Sequence, residues 1–169
     1  QSPETRERAF RELMSLYKER LYWHIRKIVI SHDDADDVLQ NTFIKIYRSI
    51  HNFKGDSKLF SWMYRIATNE AITQINKNAK RLQTTNETIQ QTALGNLPTD
   101  VYFDGNEIQL KLQQAIAILP QKQQLVFNMK YFDDLKYKEI AEILETSEGA
   151  LKASYHIAVK KLQTYLTSD

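Results

Sequence analysis

Residues Lys136–Lys161 read KYKEIAEILETSEGALKASYHIAVKK. Ile140, Ala141, Ile143 and Leu144 set an apolar rhythm at helical spacing, and it breaks at Thr146-Ser147-Glu148-Gly149. A second rhythm follows in Leu151, Tyr155, Ala158, Val159 and Leu162. The pattern predicts two short helices around a tight turn, with Ser147 capping the second and Gly149 letting another backbone approach closely. In a helix-turn-helix the second helix enters the major groove and offers its N-terminal half to base edges. Here Leu151, Tyr155, Ala158 and Leu162 share one side of the helical wheel, while Lys152, His156 and Lys160 form a row elsewhere. Two readings fit that row: a surface that faces DNA, or the solvated side of an ordinary core hairpin.

Working outward, Ile108, Leu112, Ile116 and Leu119 give a helix that stops at Leu119-Pro120. Leu125, Val126, Met129 and Phe132 give the next, ending at Asp133-Asp134. Residues 107–169 therefore read as four short helices. Before them, residues 82–106 read LQTTNETIQQTALGNLPTDVYFDGN, rich in Thr, Gln and Asn, interrupted by Gly95, Pro98 and Gly105, and without a clear period. That composition predicts a flexible linker. Residues 1–81 carry long helices. Ser2 and Pro3 suit the start of the first, whose stripe is Phe10, Leu13, Met14, Tyr17, Leu21, Ile25 and Ile28. Ser31-His32-Asp33-Asp34 opens a second with acids in its first turn, and Ser57 can cap a third that carries Leu59, Trp62, Met63, Ile66 and Ile72. The expected fold is all-α: two small helical domains, 1–81 and 107–169, joined by the linker 82–106.

The totals exclude several classes. None of the 169 residues is cysteine, so disulfides, Cys-based zinc sites and a thiol nucleophile are ruled out. No apolar run reaches the roughly 18 residues that suggest a membrane span, no secretory signal precedes the first helix, and no direct membrane insertion is expected. The net charge of +2 is unevenly spread: residues 1–81 hold 15 basic and 10 acidic groups, residues 82–106 hold 3 acidic groups and no basic one, and residues 107–169 hold 8 of each. Different partners for the two ends follow from this split. His24, His32, His51 and His156 form no ligand pair, and neither a Ser-His-Asp order nor a Gly-rich phosphate loop stands out. No cofactor, metal or intrinsic enzyme activity is expected.

Two further clusters carry chemistry. Asp33, Asp34, Asp36 and Asp37 exceed what a helix N-terminus needs, since each acid there contributes only about 0.3–1 kcal/mol. The Phe53–Trp62 stretch joins aromatic rings to Lys54 and Lys58, the combination that holds single-stranded nucleic acid, although Phe60, Trp62 and Tyr64 fit a plain core equally well.

Three motifs in order resemble those of bacterial sigma factors of the compact extracytoplasmic-function type. Asp34-Ala35-Asp36-Asp37-Val38-Leu39-Gln40-Asn41-Thr42-Phe43 is similar to the family's acidic-helix signature. Ser61-Trp62-Met63-Tyr64-Arg65-Ile66-Ala67-Thr68-Asn69 resembles its Trp-Leu-Tyr-Arg-Ile-Ala run. Leu119-Pro120, Val126-Phe127, Tyr131-Phe132, Glu139-Ile140-Ala141, Leu151-Lys152-Ala153 and Lys160-Lys161-Leu162 resemble its promoter-binding domain. The resemblance implies a transcription initiation factor that brings core RNA polymerase to promoters and helps open the −10 element. The alternative reading is a stand-alone, dimeric helix-turn-helix regulator.

By the same resemblance, Asp33, Asp34, Asp36, Asp37, Gln40, Asn41 and Phe43 would dock on core polymerase. Phe53, Lys54, Lys58, Tyr64, Arg65, Thr68, Asn69 and Thr73 would hold the −10 strand, with Lys77, Lys80 and Arg81 on its backbone. Ser147, Lys152, Ser154, Tyr155, His156 and Lys160 would meet the −35 element. Phe60 stands where many relatives carry a basic residue. Relatives also carry arginine where this chain has Ser154, Ile157 and Val159, which shifts the expected −35 readout toward groove shape. An anti-sigma factor and a cytoplasmic location are further implications of the family.

Overall fold

The computed structural model describes residues 2–96 and 105–168. Its α-helices are α1 (Pro3–Val29), α2 (His32–Ser49), α3 (Leu59–Arg81), α4 (Asn86–Asn96), α5 (Glu107–Ile118), α6 (Gln121–Phe127), α7 (Tyr137–Leu144) and α8 (Glu148–Thr167). A 3-10 turn, Ile50–Asn52, follows α2, and a π-helical turn, Asn128–Phe132, continues α6. The described residues contain no strand.

Helix starts follow local chemistry. The Ser2 hydroxyl accepts from the Thr5 N–H at 3.3 Å, and Pro3 occupies the first turn, where its missing N–H leaves no bond unmade. Ser31 caps α2, placing Asp33 and Asp34 at the positive end of the helix dipole. Ser147 caps α8 by accepting from the Ala150 N–H at 3.2 Å. The third helix departs from expectation. Its N-cap is Lys58 rather than Ser57, and no side chain closes that end.

α1, α2 and α3 form a three-helix bundle around Leu21, Ile25, Val38, Ile46, Met63 and Ile75. Ala67 and Ala71, both fully buried, keep the middle of α3 slim where the other helices cross it. In the C-terminal half α8 is the hub, contacting α5, α6 and α7. Ala115, Ile116, Leu119, Phe127, Ala158 and Leu162 form its own core.

Three features differ from the sequence reading. First, the two helical domains also pack on each other. α7 lies along α3, and Leu125, Val126, Met129, Leu135, Ile140, Ile143 and Leu151 belong to the same core as the N-terminal bundle. Second, the expected linker contains α4. Thr85 accepts from the Thr88 N–H at its start, and Leu94 packs with Ile30, Leu110 and Ala117. Tertiary burial of one leucine and one glutamine, Gln90, fixes a segment whose own periodicity is weak. Pro98, part of the argument for a linker, lies outside the described residues. Third, no backbone approaches Gly149, where an added Cβ would meet nothing within 4 Å. The turn is made instead by Glu145, the α7 C-cap, in the left-handed region at φ 53°.

Candidate polymerase and nucleic-acid interfaces

α2 turns five of its seven candidate residues outward. Asp33, Asp36, Asp37, Gln40 and Asn41 are exposed. Asp36 approaches His32 Nε2 at 3.2 Å, one turn back. Asp34 instead faces α3, where its carboxylate accepts from Asn78 Nδ2 at 3.2 Å. Phe43 is buried, edge-on to Phe10, and lines an open groove of about 740 Å³ with Met14, Leu39, Ile44 and Tyr47. An acidic strip beside an apolar groove is thus what α2 presents.

The loop before α3 and the first half of that helix hold the −10 candidates. Lys54, Lys58, Arg65, Asn69 and Thr73 are exposed. Phe53 is half-buried, tilted against Trp62 at 5.3 Å between ring centroids. Phe60 lies between two cations, with Arg20 from α1 at 4.8 Å and Lys58 at 5.8 Å from its centroid. Tyr64 and Thr68 require correction as contact residues. Tyr64 is 0% exposed and Thr68 is 1% exposed, so neither is reachable by nucleic acid in this arrangement.

What buries them is a polar cluster that sequence spacing did not reveal. His24 stacks on Tyr64 at 4.4 Å and meets the Thr68 hydroxyl through Nε2 at 2.8 Å. That hydroxyl donates to the Tyr64 carbonyl at 2.7 Å, so the proton of the His24–Thr68 bond resides on Nε2. His24 Nδ1 is left facing Asp133 Oδ2 at 3.4 Å, and Lys27 Nζ holds the other Asp133 oxygen at 2.6 Å. Burial lowers the His24 pKa, against the pull of Asp133 and with help from the Lys27 and Arg20 charges. Burial acts to raise the Asp133 pKa, but His24 and Lys27 outweigh it and hold the carboxyl below its usual range. Burial and the Asp133 charge push the Tyr64 hydroxyl well up. His24 and Asp133 lie 109 positions apart, and no local pattern links them.

The sign of the pH effect follows. A histidine whose folded pKa lies below its ordinary 6.5 contributes stability that is complete above that value. Stability is lost as pH falls below it, because the unfolded chain takes up the proton first. The Asp133 contribution persists until pH falls below the ordinary carboxyl value of 3.8. The unfolding free energy read by urea titration is therefore expected to fall between pH 7 and pH 5, by at most about 1.4 kcal/mol per pH unit, and His24→Gln should flatten that slope.

On α8 the structure brings Lys152, His156 and Lys160 together as one exposed row. Lys152 Nζ lies 5.7 Å from the Tyr137 ring centroid. Ser147 serves as the helix cap, and Ser154 is half-buried. Tyr155 turns inward. It stacks on Phe127 at 5.9 Å, and burial together with Tyr137 and Tyr131 raises the pKa of its hydroxyl. Its ring is a packing element in this arrangement.

Comparison with known proteins bears on all three surfaces. Residues 13–81 match the family model "Sigma-70 region 2", and residues 109–162 match "Sigma-70, region 4". The ECF RNA polymerase sigma factor SigW of Bacillus subtilis is 33% identical over 167 residues, covering 94% of this chain and 89% of that protein. This chain belongs to the extracytoplasmic-function sigma factors. Sigma-H factor of Pseudomonas aeruginosa is 27% identical over 86% of this chain and 80% of its own length. The fold matches that of sigma factor RpoE from Bartonella quintana, solved with the anti-sigma factor NepR, at a TM-score of 0.73 and 21% identity, over 95% of this chain and 98% of that one.

Like its relatives, this sigma factor directs RNA polymerase to promoters, and the paired regions favour that role over a stand-alone dimeric regulator. Region 2 covers the acidic strip of α2 and the −10 candidates of α3, and region 4 covers α8 as far as Leu162. No described helix is long and apolar enough to cross a membrane.

Proposed function

We propose that the outward strip of α2 docks this sigma factor on core polymerase through Asp33, Asp36, Asp37, Gln40 and Asn41. The apolar groove behind Phe43 would take a side chain of the same partner. In this reading Phe53, Lys54, Lys58, Arg65, Asn69 and Thr73 hold the displaced strand of the −10 element by ring contact and phosphate pairing. Lys152, His156 and Lys160, with Ser154 at their edge, meet the −35 element. Without an arginine fork on this row, the readout leans on groove shape. The chain supplies no chemistry of its own. It works in the cytoplasm beside the polymerase, and an anti-sigma factor restrains it, as NepR accompanies the sigma factor RpoE of the same fold.

The observation that carries the reading is the sorting of charge by surface. Acids cluster outward on α2, while cations line α3 and the exposed face of α8. Transcription in vitro tests it. Core polymerase should start at a discrete promoter only when this protein is added. Phe53→Ala should lower permanganate reactivity of the −10 thymines at least tenfold while polymerase binding is kept. Undiminished strand opening in Phe53→Ala would remove the loop before α3 from the site.

A further inference from the structure

We infer that Arg20 of α1 is a phosphate-binding residue for the displaced promoter strand, a cation that the Phe60 ring holds in place beside Lys58. The inference rests on the proposed −10 assignment of the loop before α3. No motif in the sequence points to Arg20, because it stands on a different helix from the −10 candidates. The fold brings it to them. Its guanidinium carbon lies 4.8 Å from the Phe60 ring centroid and 5.5 Å from that of Tyr64. Lys58 Nζ lies 5.8 Å from the same Phe60 centroid. One half-buried ring on the first turn of α3 thus carries a cation from α1 and a cation from the preceding loop. The negative face of the ring offsets part of the repulsion between the two charges, and an anion placed between them offsets more.

Arg20 is well suited to that anion. It is exposed, while the Tyr64 ring beside it is fully buried, so the guanidinium lies on the outer surface of the bundle. Lys58 meets Glu139 at 2.9 Å and Arg65 meets Glu145 at 3.1 Å, whereas no carboxylate among the described residues lies within ion-pair distance of Arg20. A guanidinium matches a phosphate with two parallel N–H donors. Contact with the ring also orders a long side chain in advance, so less rotamer freedom is lost when the phosphate arrives. Phe60 brings no charge of its own to this spot. Its ring gathers one from a neighbouring helix instead. A phosphate contact fixes the path of a strand and carries no base preference, so Arg20 adds affinity rather than sequence choice.

Two exposed substitutions separate charge from packing. Arg20→Met keeps an apolar stem over the ring and removes the charge, and Arg20→Lys keeps the charge. Holoenzyme formed at saturating sigma factor is titrated with a forked promoter duplex whose displaced strand is single-stranded from the −10 element onward, at several salt concentrations. Arg20→Met should weaken binding about tenfold, the loss of one charged hydrogen-bonding contact. The slope of log K against log salt should fall by about 0.7, the share of one phosphate in a single strand. Arg20→Lys should keep the parental slope and recover most of the affinity. Parental affinity and slope in Arg20→Met overturn the inference. Weaker binding at an unchanged slope overturns it as well, because the side chain then serves packing alone. So does an Arg20→Lys variant that binds no better than Arg20→Met. Lys54→Met tells this failure from that of the −10 assignment. If Lys54→Met weakens binding and Arg20→Met does not, Arg20 alone is wrong; if both bind like the parent, the −10 assignment falls with it.

Discussion

Core polymerase should bind the Asp36→Lys, Asp37→Lys double variant at least a hundredfold more weakly than the parent chain. Both carboxylates are exposed on the second turn of α2, in one strip with Asp33, Gln40 and Asn41. Reversing two charges against a basic partner replaces attraction with repulsion. Changes at close interfacial charge pairs commonly cost about 2 kcal/mol or more each, and about 2.8 kcal/mol in total already gives a hundredfold. The fold should survive. Neither side chain enters the core, and unfavourable charge near a helix N-terminus costs only about 0.3–1 kcal/mol per group. Fluorescence anisotropy of labelled protein titrated with core enzyme reads the loss. Near-parental affinity would place the docking surface elsewhere on the bundle.

Leu151→Ala should destabilise the whole molecule by about 2–5 kcal/mol, the range for removing a fully buried leucine. Leu151 is 0% exposed and sits in the core shared by both domains, so its cavity loosens the grip of α7 and α8 on the N-terminal bundle. Lys152, the next residue, is exposed and carries none of that packing. Lys152→Ala should move stability by less than about 0.5 kcal/mol while weakening −35 recognition. Urea unfolding separates the pair. A small effect at Leu151 would mean that the two domains do not share one core in solution.

Much of this organisation is legible in the primary structure because it is written in local periodicity. The caps at Ser2, Ser31 and Ser147, the stop at Leu119-Pro120 and the inward side of α8 all depend on residues within two turns of each other. The acidic strip of α2 is legible for the same reason. What escaped depends on residues far apart. Lys58 and Glu139 are 81 positions apart, and Lys27 and Asp133 are 106 apart, so no window contains both partners. Thr68 was a contact candidate through its place in the motif that resembles the family's; its burial involves His24 on another helix, 44 positions away. α4 was missed because its helicity derives from where Leu94 and Gln90 dock, a contribution that composition does not register.

Gln90 and Gln124 exchange amides at 3.0 and 3.3 Å, and Gln124 also donates to the carbonyls of Ala117 and Leu119. Both side chains are buried, and they fasten α4 to α6. Pulling α4 slightly away would strand the Gln90 amide and the Gln124 side-chain carbonyl with neither each other nor water, at about 1–3 kcal/mol for each unmet group, while the Gln124 N–H groups keep Ala117 and Leu119. The partly separated state is therefore the least comfortable one. Release of α4 from α6 should be abrupt: it stays fastened under a modest pull and lets go completely once the pull suffices, so this joint between the two halves behaves as a snap-fastener rather than a spring.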